Sequence, residues 1–257
     1  MLLSDRVAII TGGAKGIGRG IALKFADEGC SVAVADIDMK EANNTVSEVT
    51  KKGRQGLAIQ CDVTDGKQVK STVDKVISTF GRIDILVNDA GALLSKSAIE
   101  DLSEEDWDKS MALNLKSDFL FCKYVVPHMK KRRYGRIINI SSIGATYPPA
   151  HAISYNPAKA GVLGLTYDLA YALAPYNICV NAIMPGPVRT TFYGSRVSDD
   201  AFFAELGKKA VPLGRVGTPE DIAGAALFLA SELSSFITGE ELRVSGGIPL
   251  TPSPAPK

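Results

Sequence analysis

The chain has 257 residues, 46% hydrophobic and 22% charged, with 29 Lys and Arg against 28 Asp and Glu for a formal charge of +1. That length is ample for one large domain with a substantial core, and the even charge balance gives no basic surface for nucleic acid or an anionic membrane. No apolar run reaches the roughly 18 residues that span a bilayer, and the start lacks the basic segment and apolar stretch of a secretion signal. The four cysteines, Cys30, Cys61, Cys122 and Cys179, and the two histidines, His128 and His151, show no metal-ligand spacing. The cysteines read as reduced, buried thiols, so a cytoplasmic protein without a metal is expected.

The first strand is expected over 7–11. It leads into Thr11-Gly12-Gly13-Ala14-Lys15-Gly16-Ile17-Gly18, and a helix follows over 17–28. Glycines at such a turn let the backbone reverse sharply and approach a pyrophosphate resting on the helix N-terminus. The spacing is G-x-x-x-G-x-G rather than the general G-x-G-x-x-G, and alone it signals only a tight turn. Its context adds to it. The second strand, 31–36, ends on Asp36, whose carboxylate can accept hydrogen bonds from adenosine ribose hydroxyls. Asp36, with Asp38 beyond it, would repel a 2′-phosphate, so NAD is expected over NADP. Lys15 is the counter-signal, because its ammonium could meet that phosphate. A helix over 39–52 and a strand over 56–61 come next. Asp62 can then accept from the adenine amino group or cap the helix expected over 66–80.

Further strands are expected over 83–88 and 136–141, joined by a long helix over 103–132. Gly29, Gly53 and Gly81 stand just past three helices, where left-handed caps belong. The fifth strand runs into Ser142. Tyr155 follows, and Lys159 stands four residues beyond it on the same face of a helix over 154–174. A phenol is a poor base at neutral pH, and a nearby cation favours its ionised form. The pair can therefore exchange a proton with an alcohol or ketone oxygen that Ser142 holds. Pro157 is tolerable there only in the first helical turn, which sets the helix start near Ser154. A strand over 178–184 precedes the stretch 185–210, which carries Phe192, Tyr193, Phe202 and Phe203 and is expected to be a long loop lying over the substrate. Tyr147, His151, Phe192 and Tyr193 are candidate substrate-wall residues, whereas His128 and Trp107 read as helix-surface and packing residues. A helix over 219–231, a strand over 241–244 and a tail over 249–257 with four prolines complete the chain.

Near-continuous Val, Ile and Leu in the strands fits burial on both faces. Strands alternating with helices imply an α/β fold: one doubly wound Rossmann-type parallel sheet of about seven strands, with helices on both faces. Residues 1–248 are expected to form this dinucleotide-binding and catalytic domain.

Taken together, the motifs resemble the short-chain dehydrogenase/reductase family over nearly the whole chain. The matching pieces are the glycine turn, Asn88-Asp89-Ala90-Gly91 after the fourth strand, and Asn114 in the long helix. Ser142, Tyr155, Lys159 and Pro185-Gly186-Pro187-Val188-Arg189-Thr190 complete them. The resemblance implies a catalytic tetrad of Asn114, Ser142, Tyr155 and Lys159, in which Asn114 holds a water linking Lys159 to solvent. It implies that Lys159 bonds the nicotinamide ribose and that Val188 and Thr190 contact the carboxamide. Ile17, Val63, Asn88, Ala90, Gly91, Pro185 and Gly186 join the expected cofactor contacts, beside Gly12, Lys15, Gly16, Gly18, Asp36, Asp62, Tyr155 and Lys159. It also implies a homotetramer, and Ala160, Gly161, Gly164, Leu165 and Ala170 give the second long helix small or apolar faces suited to close pairing.

There are departures. Asp89 stands where the family usually has a second Asn and cannot donate hydrogen bonds when ionised. Ala158 replaces the serine that often precedes the lysine. The implied activity is NAD(H)-dependent interconversion of a secondary alcohol and a ketone, on a small-molecule substrate. The same signature serves reduction of 3-oxoacyl thioesters of acyl carrier protein or CoA, against which Asp36 weighs, since those reductases resemble NADPH users. A dinucleotide-sensing protein without chemistry is a third reading, which the intact tetrad disfavours.

Overall fold

Seven short runs rich in Val, Ile and Ala become the strands of one sheet in the computed structural model, which describes residues 1–148 and 152–250. They are β1 (Val7–Thr11), β2 (Ser31–Asp36), β3 (Gly56–Gln60), β4 (Ile85–Asn88), β5 (Gly135–Ile140), β6 (Ile178–Pro185) and β7 (Glu241–Val244). Their order is β3-β2-β1-β4-β5-β6-β7, and every pairing is parallel. Side chains alternate across each strand, so Ala8 and Ile10 enter one core while Val7 and Ile9 enter the other. The first core is closed by α1 (Gly16–Asp27), α2 (Met39–Lys51) and α8 (Pro219–Ala230). The second is closed by α3 (Gly66–Phe80), α5 (Ser117–Arg132) and α6 (Tyr155–Leu173). Burial on both faces is what the uninterrupted apolar strands require.

Caps form where expected: Gly29, Gly53 and Gly81 have φ of 97°, 77° and 75°. Pro157 lies in the first turn of α6, behind Ser154 at the N-cap. Asp65, not Asp62, caps α3 by accepting from Lys67 and Gln68 backbone N–H groups.

Two elements differ from the sequence reading. The helix expected over 103–132 is α4 (Glu104–Met111), a π turn over Ala112–Lys116, and then α5. Such wide turns preserve the helical apolar period on either side and so leave little trace in it. The stretch expected to be a long loop is half helical. A 3-10 segment over Thr191–Ser198, broken at Gly194, precedes α7 (Asp200–Ala210), which Asp199 caps by accepting from Phe202 N–H.

On α6 the small residues divide. Gly161 packs on Leu115, where a Cβ would stand 2.7 Å from Cδ2, and Ala170 is in the core. Ala160 and Gly164 are exposed, beside Tyr167 and Tyr171. All four cysteines are free and buried. Among the described residues no helix is long and apolar enough to cross a membrane, and no group of three His, Cys, Asp or Glu could hold a metal ion.

Candidate active site

The chain leaves β1 toward β2 on one side of the sheet and returns to β4 on the other, so a crevice opens beyond the strand ends at this switch point. The crevice is a cavity of about 1050 Å³ that runs from Asp62, past β3, to Pro185–Thr190, past β6. Gly12 and Gly16 adopt φ of 66° and 56°, a region costly for residues with a Cβ. A Cβ on Gly12 would stand 3.0 Å from Ala90 Cα. Gly18 is not on the wall; a Cβ there would stand 2.5 Å from Gly12 O, so this glycine lets α1 pack under the turn. Lys15 at the α1 N-cap supplies no side-chain acceptor. A helix start without such an acceptor, opening on a cradle only glycine permits, fits a pyrophosphate.

Asp36 lines the crevice at the end of β2. Its Oδ2 accepts from Ala14 N–H at 3.0 Å and its Oδ1 from Asp38 N–H at 2.9 Å, so the carboxylate also shapes the glycine turn. Asp38 does something the sequence did not suggest. It pairs with Lys15 at 2.7 Å while capping α2, and that contact raises the Lys15 pKa and lowers that of Asp38. Asp62, Val63, Ile17, Ala90, Gly91, Pro185, Gly186, Val188 and Thr190 all line the crevice. Asn88 does not. It is buried at the end of β4, where its Nδ2 donates to Asn139 Oδ1 at 2.8 Å and Asn139 donates on to Thr166, joining strands to α6.

Beyond β5, Ser142 and Tyr155 face the crevice, and Ser142 Oγ accepts from Gly144 N–H at 3.0 Å. Lys159 is only 3% exposed; its Nζ donates to Ile140 O at 2.8 Å and lies 5.9 Å from the centroid of the Tyr155 ring. Ser141 Oγ donates to Lys159 O at 2.8 Å. Two reciprocal bonds therefore fasten the lysine to the end of β5.

Asn114 sits in the π turn, fully buried and off the crevice wall. Its Oδ1 accepts from Ala92 N–H at 3.0 Å, and its Nδ2 donates to Ala92 O and Ser110 O, both at 3.0 Å. A Cβ on Gly91 would meet Asn114 Oδ1 at 2.8 Å and Lys159 Nζ at 3.3 Å, so a glycine here lets the amide and the ammonium share one corner.

Two acids lie behind this corner. The backbone N–H groups of Asp89 and Ala90 both donate to Thr11 Oγ1 at 3.0 Å. The Asp89 carboxylate accepts from Gly18 N–H, and burial pushes its pKa up to about 7, against the pull of Lys159. Its acceptor role thus suits the position that an Asn usually fills. Asp118, one turn beyond Asn114, is 2% exposed. Its Oδ1 accepts from Ser117 Oγ at 3.2 Å, while Oδ2 has no partner among the described residues. Burial raises its pKa to about 7, again opposed by Lys159. A charged residue beside the apolar run Leu120-Phe121-Cys122 was the available signal for it.

Tyr147, Phe192 and Tyr193 line the crevice, whereas His151 lies outside the described residues. Phe192 stands 5.8 Å from the Tyr155 ring and 5.8 Å from Tyr193, which meets Phe203 edge-on at 5.3 Å. Leu206 and Ala210 of α7 also reach the wall, hidden earlier by the expectation of a loop. Trp107 and His128 are half-buried and off the crevice.

A family model described as enoyl-(acyl carrier protein) reductase matches residues 12–249. The chain is 41% identical over 247 residues to a subunit of (2S)-((R)-hydroxy(phenyl)methyl)succinyl-CoA dehydrogenase from Thauera aromatica, covering 96% of this chain and 98% of that one. It is 40% identical over 253 residues to the 3-oxoacyl-(acyl-carrier-protein) reductase FabG of Thermotoga maritima, covering 96% and 99%. Among solved structures, levodione reductase superposes with a TM-score of 0.89 at 29% identity over 95% of this chain and 98% of that one. NAD+-bound xylitol dehydrogenase gives 0.87 at 30% identity over 96% and 100%. With its parallel seven-stranded sheet, its glycine turn and its Ser, Tyr and Lys at one crevice, the chain belongs to the short-chain dehydrogenase/reductase family of oxidoreductases.

Proposed function

We propose that the protein interconverts a secondary alcohol and a ketone with NAD(H), using Tyr155 as general acid and base. The observation that carries this reading is the meeting of Tyr155, Ser142 and Lys159 at the crevice beside a cradle fit for a dinucleotide. Gly12, Gly16, Ile17 and the start of α1 would hold the pyrophosphate, Asp36 the adenosine ribose, and Val188 and Thr190 the carboxamide end. Bound there, the nicotinamide supplies the hydride exchange with the substrate carbon. Everything else falls to the chain. Ser142 holds the substrate oxygen, and Tyr155 gives it a proton in reduction or takes one in oxidation. Lys159 favours the ionised phenol by its charge, and Asn114 braces the Gly91–Ala92 backbone beside it.

NAD preference is supported by Asp36 at the crevice and by the ion pair of Lys15 with Asp38 at 2.7 Å, which competes with a phosphate for that ammonium. The test is kcat/KM for NAD and NADP in the wild type and in Asp36→Asn, which removes the charge but keeps an acceptor for the turn. A preference of about tenfold or more, roughly 1.4 kcal/mol, should collapse in the variant; equal use of both cofactors by the wild type would refute it. Reduction of a 3-oxoacyl thioester is the second reading, favoured by the 40% identity to a reductase of that name. Assembly as a homotetramer is supported by the exposed α6 stripe of Ala160, Gly164, Tyr167 and Tyr171. The buried free cysteines suit the reducing cytoplasm.

A further inference from the structure

The substrate half of the crevice has its own chemistry. Among the described residues its walls include Leu93, Tyr147, Phe192, Tyr193, Leu206 and Ala210, with Asn156 and Thr191 as polar members, and none of these is charged. The charged groups that line the crevice lie elsewhere. Lys15, Asp36 and Asp62 stand at the β2 and β3 end, Asp89 lies behind the glycine turn, and Lys159 is bonded to Ile140 O. Three cations near these wall residues are paired elsewhere, of which Arg243 lies over the Tyr147 ring at 5.9 Å and pairs with Glu241 at 3.3 Å. Arg189 pairs with Asp200 at 2.6 Å and donates to Val197 O, and Arg196 lies over the Phe202 ring.

We infer that the site takes a neutral ketone or secondary alcohol borne on an apolar ring, alicyclic or aromatic; this rests on the alcohol–ketone reading above. A carboxylate or phosphate would lose its hydration here without gaining a cation. A polyol would bury hydroxyls that Leu93, Phe192, Leu206 and Ala210 cannot pair. An apolar ring gains instead. Phe192 and Tyr147 each leave 47% of their surface uncovered beside the reacting group, which is apolar area that a carbon skeleton would cover. The rings of Tyr155, Phe192, Tyr193 and Phe203 follow one another tilted or edge-on at 5.3 to 5.8 Å. A further ring set against Phe192 would continue that series in the geometry that aromatic contacts favour.

The experiment compares kcat/KM of the full chain with NAD for 1-phenylethanol and cyclohexanol against xylitol, lactate and 3-hydroxybutyryl-CoA. The better ring alcohol should exceed each of the others by about 100-fold or more. Phe192→Ala should raise KM for that alcohol about tenfold. Best turnover of the polyol, the hydroxy acid or the thioester overturns the ring proposal and leaves alcohol oxidation standing. An unchanged KM in Phe192→Ala overturns it as well. NADH formation with none of the five overturns the alcohol–ketone reading itself, and the ring proposal with it.

Discussion

Asp118 offers a direct measurement of what it costs to keep a carboxyl group behind the active site. Its pKa moves from 3.8 to about 7 because burial penalises the charged form, with Lys159 offsetting only part of this. Between those values the folded protein holds a proton that the unfolded chain has released. Stability is therefore full below about pH 4 and falls as pH rises toward 7. About three pKa units at about 1.36 kcal/mol each set an upper bound of about 4 kcal/mol on this loss. Asp118→Asn abolishes the titration but keeps an oxygen for Ser117 Oγ, whose bond to Oδ1 is 3.2 Å. The unpaired amide it introduces costs about 1–3 kcal/mol, equally at every pH. Asp89 is retained in both proteins, so its own titration largely cancels in the comparison. Thermal unfolding of wild type and variant at pH 5 and pH 8, at one protein concentration, isolates the effect. At roughly 2–4 °C per kcal/mol for a domain of this size, the variant should gain at least about 4 °C on the wild type over that interval. A difference in Tm that stays constant from pH 5 to pH 8 would refute the burial argument.

Tyr155→Phe keeps the ring against Phe192 and removes the titrating oxygen. It should fold normally by circular dichroism and lose about 10²–10⁴-fold in kcat, and retention of more than about a tenth would remove Tyr155 from the acid–base role. Lys159→Ala should lower kcat and also raise KM for NAD, separating it from Ser142→Ala, for which steady-state kinetics should show only the loss in kcat. Gly18→Ala would set a Cβ 2.5 Å from Gly12 O and 2.7 Å from Asp89 Oδ2; NADH fluorescence titration should show binding weakened at least about tenfold, roughly 1.4 kcal/mol. Light scattering should give the mass of four chains, reduced by Gly164→Arg on the exposed face of α6, and a monomeric wild type would dispose of the tetramer.

The parts of the site that could be read in the sequence are those set by short spacings. The glycine turn, Asp36 at a strand end, and Tyr155 with Lys159 one helical turn apart depend only on local geometry, and the structure puts them on one crevice. Strands were equally legible, because burial on both faces leaves unbroken apolar runs. The π turn around Asn114 escaped because widening one turn leaves the apolar period on either side intact. α7 escaped because the stretch 185–210 was expected as one long loop carrying aromatic residues, although Asp199 three residues before Phe202 is a capping arrangement. The Lys15–Asp38 pair and the Asn88–Asn139 bond span 23 and 51 residues. Such contacts exist only once the sheet order is known, so the sequence alone named neither partner.

The fastening of Lys159 to the end of β5 bears on how such a protein can change. Its ammonium is held by a main-chain carbonyl and its own carbonyl by Ser141. A carbonyl oxygen is present whatever side chain its residue carries, so half of this attachment is indifferent to substitution at position 140. The opposite wall of the crevice, by contrast, is drawn from side chains on the 3-10 segment and α7, Phe192, Tyr193, Leu206 and Ala210. Replacements at Leu206 or Ala210 can alter what the crevice admits while the Phe192 ring stays 5.8 Å from that of Tyr155. One scaffold can thereby drift in what it admits while the oxidoreductase chemistry at its centre stays where the sheet put it.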